Sequence, residues 1–377
     1  MPDSFFGVMY ELLRPLLFQL DAETAHGLGM QASRLSRAFQ PIVRGRYSVE
    51  DARLEQRIWE TETRSGLLFR NPVGLAAGFD KNADLVPFWS ALGFGFAEVG
   101  SVTAKPSEGN PRPRAFRLPA DRAIINRMGL NNKGAETVAR SLANLKTPEG
   151  FVVGINIAKT HDPSILGHDA LEDFRTSVHH LLAFADYLAL NVSCPNTAEG
   201  KTFEEPAPLE ALLETVMSER AAQQSDIPVL VKFSPPSAAS DFETIDRLID
   251  ISLSLGVEGF IATNTASDRA GLKSPASRLA EIGGGGLSGR PLAERSAALV
   301  SHIYRKTNGT VPIIGVGGVD SPESAYERIQ AGASLIQVYT GLVYEGPGLV
   351  KRINKGLVRF LERDGFESIS EVVGTTA

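Results

Sequence analysis

Along most of the chain, short apolar runs alternate with longer stretches in which apolar residues recur every three or four positions. From about Ala76 onward the runs are GLAAGF ending at Phe79, AEVGSVT ending at Thr103, FVVGINIA ending at Ala158 and DYLALNVS ending at Ser193. PVLVKFS ending at Ser234, GFIATNT ending at Thr265, PIIGVGGV ending at Val319 and LIQVYTGL ending at Leu342 follow. A strand that is apolar on both faces leaves no side for water, so such runs predict a parallel sheet covered by the intervening helices. About eight such units predict a closed barrel in preference to an open sheet. The open alternative also lacks its signature, because no G-x-G-x-x-G follows the first strand. The expected fold is α/β, a (β/α)8 TIM barrel with a small N-terminal helical extension.

The first forty residues carry a different pattern. Phe5, Phe6, Met9, Leu12 and Leu13 have helical spacing, and Pro15 is expected to bend or restart the chain. Asp21 is the expected N-cap of a second helix with Leu28, Ala32, Leu35 and Phe39 on one face. Arg14, Arg34, Arg37, Arg44 and Arg46 lie within or just after this segment. Apolar faces with arginines nearby suit a membrane interface, and they suit plain packing on the barrel equally well. The pattern leaves both open. Residues 54 to 69 read as a hairpin capping the lower end of the barrel. The expected organisation is an amphipathic segment, 1–45, followed by the barrel, 46–377.

Composition narrows the partners. A formal net charge of -6, with 43% hydrophobic and 22% charged residues, describes an ordinary globular protein without a basic field for nucleic acid. No apolar run approaches the roughly 20 residues that span a bilayer. The start, MPDSFFGVMY, has an acid where a signal peptide has basic residues, so no signal peptide is expected. Cys194 is the single cysteine, which excludes an intramolecular disulfide and a multi-cysteine metal site and favours a reducing compartment. No metal is expected.

Candidate chemistry gathers where strands end. Lys81, Ser101, Asn156, Asn191, Cys194, Lys232, Asn264 and Thr340 all fall at C-terminal strand ends, where barrel enzymes build active sites. GGLSGRPL (Gly285 to Leu292), GVGGV (Gly315 to Val319) and YTG (Tyr339 to Gly341) supply glycine-rich loops. Two of them follow the last two strands, the usual phosphate site of a barrel, so a phosphate-bearing cofactor is expected. Lys232 interrupts the apolar run VLVKFS and should face an anion. The N1/O2 edge of a flavin is favoured over a structural ion pair, since barrel-end acids are few. Asn126, Asn131, Asn132, Asn156, Asn191, Asn196 and Asn264 offer paired donors and acceptors for a pyrimidine-like ring. A free thiol titrates at about 8.5, so modest tuning of Cys194 would make it a general base.

Over almost its whole length the chain resembles the quinone-dependent dihydroorotate dehydrogenases. YELLRPLLFQLDAETAHGLG, NPVGLAAGFDKNA, GFGFAEVGSVTAKPSEGNPRPRAFRL, INRMGLNNKG, NVSCPNT, TNT, GGLSGRPL, GVGGV and YTGLVYEGP occur in that family's order. The resemblance implies one flavin mononucleotide (FMN) per chain, held by Ala77, Gly78, Lys81, Ser101, Asn156, Asn191, Lys232, Thr263, Gly289, Gly318, Tyr339 and Thr340. It implies dihydroorotate held by Lys81, Asn126, Arg127, Met128, Gly129, Leu130, Asn191, Asn196, Asn264 and Thr265. His26 and Arg117 match positions lining that family's quinone tunnel.

The implied reaction is oxidation of dihydroorotate to orotate in pyrimidine (UMP) biosynthesis, with ubiquinone or menaquinone as final acceptor. Cys194 would take the C5 proton and Thr197 would relay it. One residue departs from the pattern: the quinone class usually has serine at the base position, and cysteine is typical of the soluble class. The N-terminal extension and GNPRPRAFRL still place the chain with the quinone users. The implied location is peripheral, on the cytoplasmic side of the cell membrane, through the N-terminal helices. A soluble fumarate- or NAD-linked relative, a dihydropyrimidine dehydrogenase, an inosinate-type dehydrogenase and a non-catalytic barrel are the competing readings.

Overall fold

The computed structural model describes residues 5–35, 39–193, 202–238 and 241–377. Cys194, Asn196 and Thr197 lie outside them, and so does Arg37. In chain order the strands are β1 (Gln56–Glu60), β2 (Ser65–Phe69), β3 (Val73–Leu75), β4 (Phe96–Val102), β5 (Ala115–Leu118), β6 (Ala123–Asn126) and β7 (Val152–Ile157). β8 (Tyr187–Asn191), β9 (Val229–Phe233), β10 (Gly259–Ala262), β11 (Gly286–Gly289), β12 (Ile313–Val316) and β13 (Leu335–Val338) complete them. Eight of these, in the order β10-β12-β13-β3-β4-β7-β8-β9, pair in parallel and close into a barrel.

All eight barrel strands coincide with the apolar runs, but each ends earlier than its run. The closing residues of every run lie beyond the last ladder pair, Asn264 and Thr265 in the loop above the sheet and Thr340 at the start of the helix Thr340–Glu345. β7 and β9 are buried at every position, as expected of strands covered on both faces. Inside the lower end, Phe96, Val152, Tyr187, Leu230, Ile261, Ile314 and Leu335 pack around Ile58, Trp59 and Phe69 of the antiparallel β1–β2 hairpin. That hairpin plugs the barrel floor. Trp59 sits 5.9 Å from Phe69 and 5.6 Å from Tyr187, ring centre to ring centre, and its Nε1 donates to Glu258 O at 2.8 Å.

At the opposite end, β5, β6 and β11 form a small antiparallel sheet that periodicity does not reveal. β11 is GLSG, with little β character. Its glycines let two backbones meet: a Cβ on Gly289, where φ is +101°, would lie 2.4 Å from Arg122 O. This sheet carries Asn126 and Gly289 to the barrel mouth.

Three helices precede the hairpin: α1 (Phe5–Leu17), α2 (Ala22–Leu35) and α3 (Gln40–Tyr47). Pro15 does not restart α1. Only two helical residues follow it, so its missing N–H removes little. Asp21 does cap α2, its Oδ1 accepting from the Glu23 and Thr24 amides at 3.1 and 2.9 Å. α3 has no counterpart in the sequence reading. The face of α2 expected to bear apolar residues, Leu28, Ala32 and Leu35, is exposed, as is Phe39. The face turned to the barrel instead carries Glu23, His26, Gly29 and Met30. Tyr10 Oη to Val343 O (2.5 Å), Arg14 to Tyr344 O (2.8 Å) and an Arg34–Asp84 ion pair (2.7 Å) dock the helices.

Candidate active site

A polar network fills the upper barrel. Glu98 of β4 is fully buried. Its carboxylate accepts from Asn156 Nδ2 (2.9 Å), Gln337 Nε2 (2.8 Å) and Tyr187 Oη (3.2 Å), and lies 3.5 Å from Lys232 Nζ. Four donors on one carboxylate, contributed by four other strands, compensate its desolvation. Burial and the Glu98 carboxylate hold the Tyr187 phenol well above its ordinary range. The sequence expectation for Lys232 is corrected here: its ammonium has a carboxylate partner inside the barrel. Its burial alone therefore does not demand a bound anion. Glu98 lies far away in sequence, and only barrel closure brings it across.

One layer higher, Ser101 donates to Asn156 Oδ1, Asn191 Nδ2 donates to Ser101 Oγ (3.0 Å), and Asn264 Nδ2 donates to Asn191 Oδ1 (3.0 Å). Thr265 N donates to Asn264 Oδ1 at 2.8 Å. These side chains orient one another toward a cavity of about 160 Å³ at the barrel mouth. Ala77, Gly78, Lys81, Ser101, Asn191, Lys232, Thr263, Gly289, Gly318, Tyr339 and Thr340 line it, together with Asn126, Met128, Leu130, Asn264 and Thr265. Asn156 supports it from behind through Ser101. Arg127 and Gly129 do not line it: Arg127 stacks on Phe116 and bonds the Ile282 and Gly284 carbonyls, holding a loop. Asn132 likewise braces a loop, bonding Thr103 and Gly134.

The glycine-rich end of the cavity lies where β12 and β13 finish. Gly317 and Gly318 have φ of +114° and +79°, and a Cβ on Gly318 would lie 2.5 Å from Ala293. Gly341 and Thr340, at the start of the helix Thr340–Glu345, complete this end. Arg122, Arg290 and Asp320 line it too and were not singled out from sequence. Both arginines bond Asp320, at 3.2 and 2.9 Å, and Arg122 also pairs with Glu345.

A second, more apolar cavity of about 340 Å³ lies between α1, α2 and the barrel. His26 and Arg117 line it, with Leu17, Phe18, Met30, Phe88, Leu92 and Leu342. Lys81, Asn126, Met128, Ser288 and Tyr339 belong to both cavities and form their common wall. Phe79 stands against that wall, 5.1 Å from Tyr339 and 4.8 Å from His26. Burial lowers His26 to about 4, aided by Lys81, so the ring is neutral. Burial also lowers Lys81, to about 8, and raises the Tyr339 phenol to about 12. Asp80 ties down the loop bearing Lys81 by accepting from Trp89 Nε1 at 2.9 Å and from the Asp84 and Leu85 amides.

Comparison with known proteins decides the family. The dihydroorotate dehydrogenase profile matches residues 60–361. The chain belongs to the dihydroorotate dehydrogenase family. It is 46% identical to the dihydroorotate dehydrogenase (quinone) of Roseiflexus sp. (strain RS-1), over 97% of this chain and 98% of that protein. To the enzyme of the same name from Deinococcus radiodurans it is 45% identical, over 97% and 100%. Its structure is similar to that of DHODH from Eimeria tenella in complex with ferulenol, with a TM-score of 0.82 and 35% identity over 94% of this chain and 95% of that one. Dihydroorotate dehydrogenases are flavin-dependent oxidoreductases, and this chain is one of them.

Proposed function

We propose that the chain oxidises (S)-dihydroorotate to orotate, with one FMN as its resident cofactor and ubiquinone or menaquinone as the final acceptor. The observation that carries this reading is the pair of cavities, one polar and glycine-cradled, one apolar, sharing a wall of five residues. Two half-reactions with a water-soluble and a lipid-soluble partner need two entrances to one reactive group.

The lining fits FMN. Gly317 and Gly318 leave room for a phosphate at the strand ends, and Gln337 has a buried Oε1 without a partner beside the cavity. Bound flavin supplies the two-electron acceptor that a CH–CH oxidation requires. The residues do the rest. Lys81, with Asn126, Asn191 and Asn264, orients the carboxylate and ring amides of dihydroorotate. Arg127, Gly129 and Asn196 remain in the substrate-binding set as family positions. Cys194 takes the proton from C5, and Thr197 relays it. Lys232 presents its ammonium beside the flavin site, held there by Glu98.

Quinone would enter through the apolar cavity past His26 and Arg117. Leu12, Leu13, Leu16, Leu20, Leu28, Leu35, Phe39 and Ile42 are exposed large apolar side chains of the N-terminal segment. Only three others occur elsewhere among the described residues, which favours the segment as the membrane-facing surface. No described helix is long and apolar enough to cross a membrane, so the proposed attachment is peripheral, on the cytoplasmic side, through segment 1–45.

Anaerobic mixing tests the scheme. Dihydroorotate should bleach the flavin absorbance of the purified protein, and a short-chain quinone should restore it. Cys194→Ala should keep the flavin spectrum and bleach at least about 100-fold more slowly. Recovery only with fumarate or NAD would overturn the quinone assignment, and unchanged bleaching in C194A would remove the cysteine as base.

A further inference from the structure

Arg328, in the helix Pro322–Gln330, is only 3% exposed, and burial lowers its guanidinium to about 10. It has no carboxylate within ion-pair distance among the described residues; Glu327 is close in sequence but exposed. Its Nη1 donates to Ser296 Oγ, and its Nη2 to Ala293 O (2.8 Å) and Gly317 O (3.0 Å), while Nε has no partner. All the acceptors are neutral. A buried charge with no counter-charge is expensive, and it persists only where something compensates it.

Its position says what that is. Gly315 admits the Arg328 stem, since a Cβ there would lie 2.6 Å from Arg328 Cγ. Gly317 lines the cavity and Arg328 does not, so the guanidinium sits directly behind the Gly317–Gly318 loop. It bridges that loop to Ala293, the first residue of the helix Ala293–Lys306. The cavity's own arginines at this end, Arg122 and Arg290, are already bound to Asp320. Among the described residues, Arg328 is the positive charge at this end with no acid in ion-pair range.

We propose that Arg328 is a positioning residue that supplies, through the glycine cradle and without contact, the counter-charge for the phosphate of the bound flavin. The proposal rests on the FMN reading above. A phosphate held on the cavity side of Gly317 would be screened far less by the intervening protein than it would be by water, so one such charge would change affinity roughly ten- to a hundredfold.

The test compares FMN with riboflavin, which has the same ring and no phosphate, binding to the full-length chain stripped of flavin. Arg328→Gln should lower the FMN-to-riboflavin affinity ratio by roughly ten- to a hundredfold, with riboflavin affinity nearly unchanged. Equal weakening of both flavins would mean that Arg328 only braces the loop, and would overturn the proposal. Should R328Q fail to fold, Arg328→Lys decides: it keeps the charge and loses the fork, so the ratio should stay at the wild-type value. A fall in that ratio with the charge retained would overturn the proposal. Wild-type protein without preference for FMN would instead overturn the cofactor reading beneath it.

Discussion

Lys81 shows how a single side chain reports on the shared wall. Burial lowers its ammonium to about 8 against the opposing pull of Glu23. Below that pH the group is charged and, in its proposed substrate-binding role, would attract the carboxylate of dihydroorotate; above it that attraction would be lost. The KM for dihydroorotate should therefore rise as pH passes about 8, and Lys81→Met should abolish the dependence. A steady-state profile across that pH checks this, and a flat wild-type KM would contradict it. Lys81 was legible in sequence because a lysine just after an apolar run is conspicuous. Glu98 was not, because a lone acid inside AEVGSVT says nothing of the lysine, tyrosine, glutamine and asparagine that closure brings around it.

Among elements, α2 is the one whose attachment should respond to acid. His26 sits at about 4 in the folded protein and near 6.5 when free, so the detached helix binds the extra proton. Its docking contribution is full above pH 6.5 and is lost as pH falls toward about 4. The slope approaches about 1.4 kcal/mol per pH unit for one proton. Limited proteolysis of segment 1–45 should accelerate over that window, and His26→Phe should flatten the response. Equal acceleration in H26F would assign the effect to other groups. The helices themselves were visible in the spacing of Leu and Phe. Which face meets the barrel was not, since polar Glu23 packs inward to reach Arg114 (2.7 Å) while Leu28 and Leu35 stay outside.

The whole molecule separates stability from chemistry along the barrel axis. The floor is an aromatic plug and the mouth is a polar, glycine-lined site. Trp59→Ala should cost about 3–5 kcal/mol and leave the flavin spectrum intact. Denaturant unfolding measures the loss, and a change below about 1 kcal/mol would show that the hairpin is dispensable. By itself the sequence determined the eight strands and their parallel arrangement, because continuous apolar runs are stable only when covered on both sides. It also gathered the candidate chemistry at one rim, since polar residues recur at the same end of successive apolar runs. The tertiary structure decided what period and spacing cannot encode. It set the β5–β6–β11 sheet, which depends on glycine backbones meeting across 160 residues. It set the Lys232–Glu98 pair and left Arg328 without a carboxylate partner among the described residues, since charge pairing depends on distance in space and on the loss of water around each group.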